Sequence, residues 1–69
     1  MYVSCYLRKV DLEGIDIVAL WQTLRAIGYR VFVGNGLRVE AYCFPFESKE
    51  IVKTELRMDI EALLKRFRN

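Results

Sequence analysis

The chain has 69 residues, of which 54% are hydrophobic and 29% charged, and its formal net charge is +2. This length allows one domain, and the hydrophobic content excludes an intrinsically disordered chain. Histidine is absent and there are only two cysteines, which excludes His-activated nucleophiles, His-containing metal sites and four-cysteine metal sites within one chain. We therefore expect no enzyme, no metal and no other cofactor.

The short length also bears on stability. A chain of this size buries only about 60% of its unfolded surface, so the isolated domain has a thin stability margin. Small domains offset this with disulfides, metals or oligomerisation. Because metals are excluded and only one cysteine pair exists, we expect a homo-oligomer, most simply a dimer.

The sequence also carries information on location. No apolar stretch approaches the roughly 18 residues of a membrane span, and no basic segment precedes an apolar one. We therefore expect a cytoplasmic protein that does not bind membranes. Asn and Gln together number three, while Arg and Glu are plentiful, a balance typical of proteins from hot environments.

Residues 2–9 alternate in polarity and are rich in β-branched and aromatic side chains, which predicts a first strand. The alternation separates two faces, with Val3, Cys5 and Leu7 on one, and Tyr2, Ser4, Tyr6 and Arg8 on the other. Residues 10–14, which include Asp11 and Glu13, are expected to form a short connection.

From about Ile15 the hydrophobic period changes to that of a first helix. Its apolar stripe consists of Ile17, Leu20, Trp21, Leu24 and Ile27. Asp16 lies in the first turn, where the helix dipole favours negative charge, and Gly28 stands where a left-handed C-terminal cap is expected. We interpret Trp21 as a core residue rather than a ligand contact.

Residues 29–44 are predicted to form a β-hairpin around Gly34, Asn35 and Gly36. A two-residue turn would set Val33 opposite Arg38 and mix the two faces. A three-residue loop with Gly36 in the left-handed conformation separates apolar from polar side chains and pairs opposite charges across the strands. Its cross-strand pairs are Val33 with Leu37, Val31 with Val39, and Arg30 with Glu40. We adopt this second register.

Pro45 ends the hairpin, and Ser48 is predicted to cap a long second helix over residues 49–68. The apolar stripe of this helix consists of Val52, Leu56, Ile60, Leu63 and Phe67, widened by Ile51, Met58 and Leu64. Ion pairs are expected between Arg57 and Glu61 and between Glu61 and Lys65. A competing interpretation makes residues 50–55 a third hairpin strand, but Lys53 and Glu55 disturb its alternation.

The order strand, helix, strand, strand, helix predicts a single α+β domain over residues 1–69. A right-handed crossover leaves room between the first two strands for the third. The expected product is a three-stranded antiparallel sheet of order 1-3-2 with both helices on one face. In its element order it is similar to the split βαβ, or ferredoxin-like, arrangement without the last strand.

This architecture leaves the second face of the sheet uncovered. The side chains expected there and assigned to partner binding are Tyr6, Arg8, Arg30, Phe32, Arg38 and Tyr42, accompanied by Tyr2 and Glu40. Exposed patches of this kind mark interaction sites, and Tyr and Arg are enriched in interfaces. We therefore expect a non-catalytic module that self-associates and binds a macromolecular partner, with a protein as the first candidate.

Single-stranded nucleic acid is the alternative partner. Rings on a sheet can stack bases while arginines contact phosphates, and RNA-recognition domains use sheet aromatics in this way. Tyr6, Phe32 and Tyr42 occupy broadly comparable positions. The third strand lacks the glycine–aromatic signature of that family, and the net charge is small. We rank this alternative second.

Two further sets of residues have structural interpretations. Cys5 and Cys43 are expected to point into the covered face as small buried side chains, with a cross-strand disulfide as the minority interpretation. The carboxylates Glu55 and Asp59 lie four residues apart, as magnesium ligands or acid–base pairs can, but such pairs are more often a solvated helix face.

Overall fold

The computed structural model describes residues 1–68 and shows a small α+β domain. The elements are β1 (Tyr2–Leu7), a 3-10 helix (Lys9–Leu12), α1 (Ile17–Ile27), β2 (Arg30–Val33), β3 (Leu37–Tyr42) and α2 (Lys49–Arg66). The strands form one antiparallel sheet in the order β1-β3-β2. The predicted α+β class, the two helices and the sheet order 1-3-2 are therefore confirmed.

The hairpin register is the one that segregates the two faces. Arg30 pairs with Glu40 and Val33 with Leu37, as expected for the three-residue loop. The conformation predicted for Gly36 is wrong, because Gly14 and Gly28 are the glycines with left-handed φ values among residues 1–68. Gly36 is needed for space instead, since a Cβ placed there would lie 2.2 Å from the carbonyl oxygen of Leu7.

Local capping groups set the ends of both helices. The Asp16 carboxylate accepts a 3.1 Å hydrogen bond from the Ala19 amide and so serves as the N-cap of α1. Gly28, with φ of 116°, provides the predicted left-handed cap at its end. Ser48 caps α2, which begins at Lys49, so the competing strand over residues 50–55 is wrong.

The core lies between one face of the sheet and the two helices. Its six fully buried side chains are Leu20 and Leu24 of α1, Leu37 and Val39 of β3, and Leu56 and Ile60 of α2. The helix stripes are narrower than predicted, because Ile17, Ile27, Ile51 and Met58 are exposed. Trp21 is half-buried and lies outside the core cluster, with the Arg25 guanidinium 5.5 Å from its ring centroid. The interpretation of Trp21 as a core residue is therefore wrong.

A short helix and two hydrogen bonds connect the elements around this core. The 3-10 helix, which the sequence interpretation treated as a plain loop, buries Leu12, and Ile15 behind it is buried as well. The Asp16 amide donates to the Phe67 carbonyl at 3.1 Å, which ties the end of α2 to the start of α1. The Tyr29 hydroxyl donates to the Asp59 carboxylate and joins α2 to the start of the hairpin.

Candidate partner-binding surface

The face of the sheet opposite the helices is exposed to solvent. In β1 and β3 the buried residues alternate with exposed ones, because successive side chains of a strand point to opposite faces. We call the following side chains the open face: Tyr2, Tyr6, Arg30, Phe32, Arg38, Glu40 and Tyr42. Five of the six residues assigned to partner binding from the sequence belong to it, and Arg8 is the exception.

Arginine and aromatic side chains alternate across the open face. The Arg30 guanidinium carbon lies 4.5 Å from the ring centroid of Tyr2 and 5.1 Å from that of Phe32. The Arg38 guanidinium carbon lies 4.7 Å from the Phe32 centroid. These distances are within the range of cation–π contact, about 6 Å. These contacts hold two long, flexible side chains near rings, which lowers the entropy lost when a partner binds them.

Glu40 lies between the two arginines. Its carboxylate oxygens lie 3.8 Å from Nε of Arg30 and 3.5 Å from Nε of Arg38. The Glu40 side chain is only 15% exposed, while those of Arg30 and Arg38 are about half exposed. The carboxylate is thus shielded by its own neighbours, and the groups that the face presents to a partner are guanidinium edges and rings.

A row of rings runs along one end of the open face and continues beyond the sheet. Tyr2 and Tyr42 meet edge-to-face at 5.2 Å between centroids, and Tyr42 meets Phe44 in the same way at 4.7 Å. Phe44 stacks on Phe46 at 5.5 Å. The sequence interpretation missed Phe44 and Phe46 as surface residues. The signal was present, because both continue the even-numbered alternation of β3 into the following turn.

The aromatic area on this side of the molecule is large. Phe46 is 86% exposed, and the other five rings of the open face and its extension are between 36% and 58% exposed. At roughly 200 Å² per ring, about 640 Å² of aromatic surface faces solvent. The largest apolar patch of an ordinary monomer is about 300–600 Å². For so small a domain, the open face and its extension through Phe44 and Phe46 together expose an unusually large aromatic area.

Arg8 lies apart from this cluster. It follows the last residue of β1, and its guanidinium donates two hydrogen bonds of 3.2 Å to the Asp11 carboxylate. Its backbone amide donates to the same carboxylate at 2.9 Å, which fixes the start of the 3-10 helix. The hydrogen bonds from Arg8 lower the pKa of Asp11 below its ordinary value, and they raise that of Arg8. Arg8 is thus engaged locally, contrary to its assignment to the partner-binding set.

Three acidic side chains, including Asp59 of the pair considered for acid–base chemistry, are engaged in local contacts. Asp59 accepts the Tyr29 hydroxyl, Asp16 caps α1, and Asp11 is bound by Arg8. The expected pairs of Glu61 with Arg57 and Lys65 are not among the ion pairs formed within residues 1–68. In the same part of the chain, no group of three or more Cys, Asp or Glu side chains is placed to hold a metal ion.

The two cysteines are free. Cys43 is buried and Cys5 half-buried, and both lie on the covered side as predicted. Cys5 is opposite Val39 in the sheet register, so Cys43 lies four residues further along, about 13 Å at the rise of a strand. A disulfide needs Cα atoms within about 7 Å. The minority interpretation, a bond between Cys5 and Cys43, is therefore excluded by the register.

Comparisons with family models, curated proteins and solved structures find no match to this chain. Over residues 1–68, no helix is long and apolar enough to cross a membrane. The open face is therefore the feature of the molecule that indicates a function.

Proposed function

We propose that the protein is a non-catalytic interaction module. It self-associates, and it binds a macromolecular partner through its open face. The observation that carries this proposal is the continuous surface of exposed rings and arginines on the uncovered side of the sheet. A standard interface buries about 800 Å² on each partner. The aromatic area of the open face and of its extension, Phe44 and Phe46, together with the two arginines, is sufficient for a contact of that size.

The chemistry of the face favours a protein partner. Tyr and Arg are enriched at the energetic centres of protein interfaces, because they combine large contact area with hydrogen bonding, and Phe is enriched in interfaces for its apolar contact area. Arg30 and Arg38 are already held against rings, so they are arranged to donate hydrogen bonds to carboxylates or carbonyl groups of a partner. We propose Phe32 and Tyr42 as the apolar centre of the contact.

Single-stranded nucleic acid remains the second candidate, and one observation favours it. The row Tyr2, Tyr42, Phe44 and Phe46 continues past the C-terminal end of β3, and each base stacked on a ring contributes about 1–3 kcal/mol. The contacts of Phe32 argue against it. The guanidinium carbons of Arg30 and Arg38 lie 5.1 Å and 4.7 Å from its ring centroid, where they compete with a stacking base.

The same proposal includes a ferredoxin-like arrangement of the fold and a cellular location. We place the domain with ferredoxin-like units that lack the last strand, supported by the sheet order β1-β3-β2 and the two helices. The two unbonded cysteines fit a reducing compartment, which supports a cytoplasmic location.

The first test is the molar mass in solution. Light scattering behind a sizing column should give twice the chain mass of 8.1 kDa at tens of micromolar. A mass of one chain at that concentration would remove self-association from the proposal.

The second test addresses the open face through variants. Peptide ligands selected from a displayed library should lose at least about tenfold in affinity on Phe32→Ala or Tyr42→Ala, because such residues act as hot spots. Met58→Ala is the matched control, since Met58 is an exposed apolar residue of α2. Circular dichroism checks that each variant folds.

An oligonucleotide titration with a further variant, Phe46→Ala, discriminates the nucleic-acid alternative. A fluorescent single-stranded oligonucleotide should show no binding at low salt if the partner is a protein. Binding that weakens linearly in log affinity with log salt, and that Phe46→Ala reduces, would make the nucleic-acid function the correct one.

A further inference from the structure

The outer edge of β1 carries backbone N–H and C=O groups that have no hydrogen-bond partner within residues 1–68. The sheet order β1-β3-β2 places β1 at one side of the sheet. The Met1 carbonyl accepts from the Cys43 amide at 2.7 Å, so Met1 forms a hydrogen-bonded pair with the residue that follows β3. Such pairs alternate along an antiparallel ladder. Val3, Cys5 and Leu7 therefore bond inward to β3, and Tyr2, Ser4 and Tyr6 direct their N–H and C=O groups outward.

This edge has none of the features that usually protect an edge strand. Natural edges are short, charged, bulged or interrupted by proline, which prevents pairing with a second chain. The β1 strand has six residues, YVSCYL, with no charge and no proline. The other edge strand, β2, has four residues and begins with Arg30. Of the two edges, β1 is the one built to accept another strand.

The side chains of β1 are arranged so that the strand can pair with itself. About a two-fold axis through Ser4, residue 4 faces residue 4 of a second copy, and Tyr2 faces Tyr6 on the open face. On the covered side Val3 faces Cys5. Aromatic pairs and small apolar pairs across strands both stabilise a sheet. All three outward residues would then exchange hydrogen bonds with the second copy.

Arg8 excludes the neighbouring register. A two-fold axis through Cys5 would require the backbone of Arg8 to bond to Tyr2 of the second copy. The Arg8 amide already donates to Asp11 and the Arg8 carbonyl accepts from the Asp11 amide, both at 2.9 Å. The register centred on Ser4 uses only the outward backbone N–H and C=O groups of Tyr2, Ser4 and Tyr6.

A cleft beside the edge adds a second reason for this arrangement. It has a volume of about 610 Å³ and lies on the covered side, where Cys5 and Leu7 of β1 face Ile60 and Leu64 of α2. Cys5 is half-buried rather than buried. A strand added to β1 would place the second copy's Val3 beside Cys5 and close the open side of this cleft.

We propose that two copies of the chain join β1 to β1 in antiparallel register about Ser4, forming one continuous six-stranded sheet. This inference rests on the self-association part of the proposed function and assigns its surface. A two-fold axis perpendicular to the sheet keeps all four helices on one side, so the two open faces become a single surface of double area. Face-to-face packing would instead bring together arginines whose only carboxylate neighbour on the face, Glu40, is already shared between them.

The test uses opposite charges at the residue that faces itself. Ser4→Lys and Ser4→Glu should each weaken the dimer at least about tenfold, because like charges lie directly opposite. An equimolar mixture of the two variants should restore a dimer of one chain of each kind. Ser4→Thr, which keeps the strand neutral, is the matched control and should remain dimeric. Molar masses come from light scattering, and circular dichroism confirms folding.

A measurement on the unmodified chain tests the same edge assignment without variants that could misfold. Amide hydrogen exchange at Tyr2, Ser4 and Tyr6 should slow as protein concentration rises through the dissociation constant. A wild-type dimer with fast exchange at these amides, or charge variants that stay dimeric, would overturn the edge assignment while leaving self-association intact. A wild-type monomer at tens of micromolar would overturn both.

Discussion

At the scale of single residues, Gly36 shows how a close approach constrains a turn. The hairpin loop needs no left-handed glycine, yet a side chain at position 36 would collide with the Leu7 carbonyl at 2.2 Å. This carbonyl belongs to the end of β1, which lies next to the hairpin in the sheet. A turn motif indicates a glycine, but only the packed sheet shows which constraint it meets.

We predict that Gly36→Ala destabilises the protein by about 1–3 kcal/mol, because the methyl group must displace backbone. Gly34→Ala is the matched control, since a Cβ there meets nothing within 4 Å. It should leave stability unchanged or raise it by about 0.4–1 kcal/mol through the unfolded state. Urea unfolding of both variants measures the difference, and equal midpoints would contradict the close approach.

The residues of the open face were predictable for a simple reason. Alternation in β1 and β3 assigns each side chain to a face, and five of the six assigned partner-binding residues lie there. Arg8 was misplaced because it follows the strand and belongs to the 3-10 turn, where Asp11 binds it. Phe44 and Phe46 were missed because the strand ends before them, although their rings continue the same row.

At the scale of elements, the hydroxyl of Tyr29 joins two parts of the fold. Tyr29 precedes β2, and Asp59 lies on α2, so their hydrogen bond links the hairpin to the second helix. Burial raises the pKa of Tyr29 well above its ordinary value, and the hydrogen bond to Asp59 and the charges of Asp59 and Glu55 raise it further. The folded protein therefore holds this proton more tightly than the unfolded chain.

This difference in the pKa of Tyr29 predicts that the free energy of unfolding falls at alkaline pH. The contribution of Tyr29 is constant below about pH 10, where the residue is protonated in both states, and is lost as pH rises above it. Tyr29→Phe should cost about 1 kcal/mol at neutral pH and lose less stability than the wild type above pH 10. Urea unfolding across pH measures both. Tyr6→Phe, which removes an exposed hydroxyl, should keep the wild-type profile.

The helix boundaries agree with the predicted ones where the sequence contains a capping residue. Gly28 and Ser48 end and begin helices as predicted, and Asp16 proved to be the N-cap itself rather than a first-turn charge. The 3-10 helix was missed because it lacks a hydrophobic period. Leu12 and Ile15 are buried by packing that the residues around them do not reveal.

At the scale of the whole molecule, two helices cover one side of a three-stranded sheet and leave the other side to solvent. The domain thus exposes rings on a broad face and unpaired backbone groups along β1. Both features have the same origin, a sheet with too few elements to cover its surfaces. Association of two copies and binding of a partner are two ways of covering them, and the two proposals address different surfaces, so both can hold at once.

The sequence by itself determined the alternation of the strands, the helix caps at Gly28 and Ser48 and the hairpin register, because these depend on residues close in the chain and on complementarity across one turn. The tertiary structure decided what depends on distant parts of the chain. It placed Leu7 against Gly36, set Cys5 and Cys43 too far apart for a disulfide, left Trp21 outside the core and stacked the arginines on the rings. Such contacts are fixed by how whole elements pack, and no local pattern specifies them.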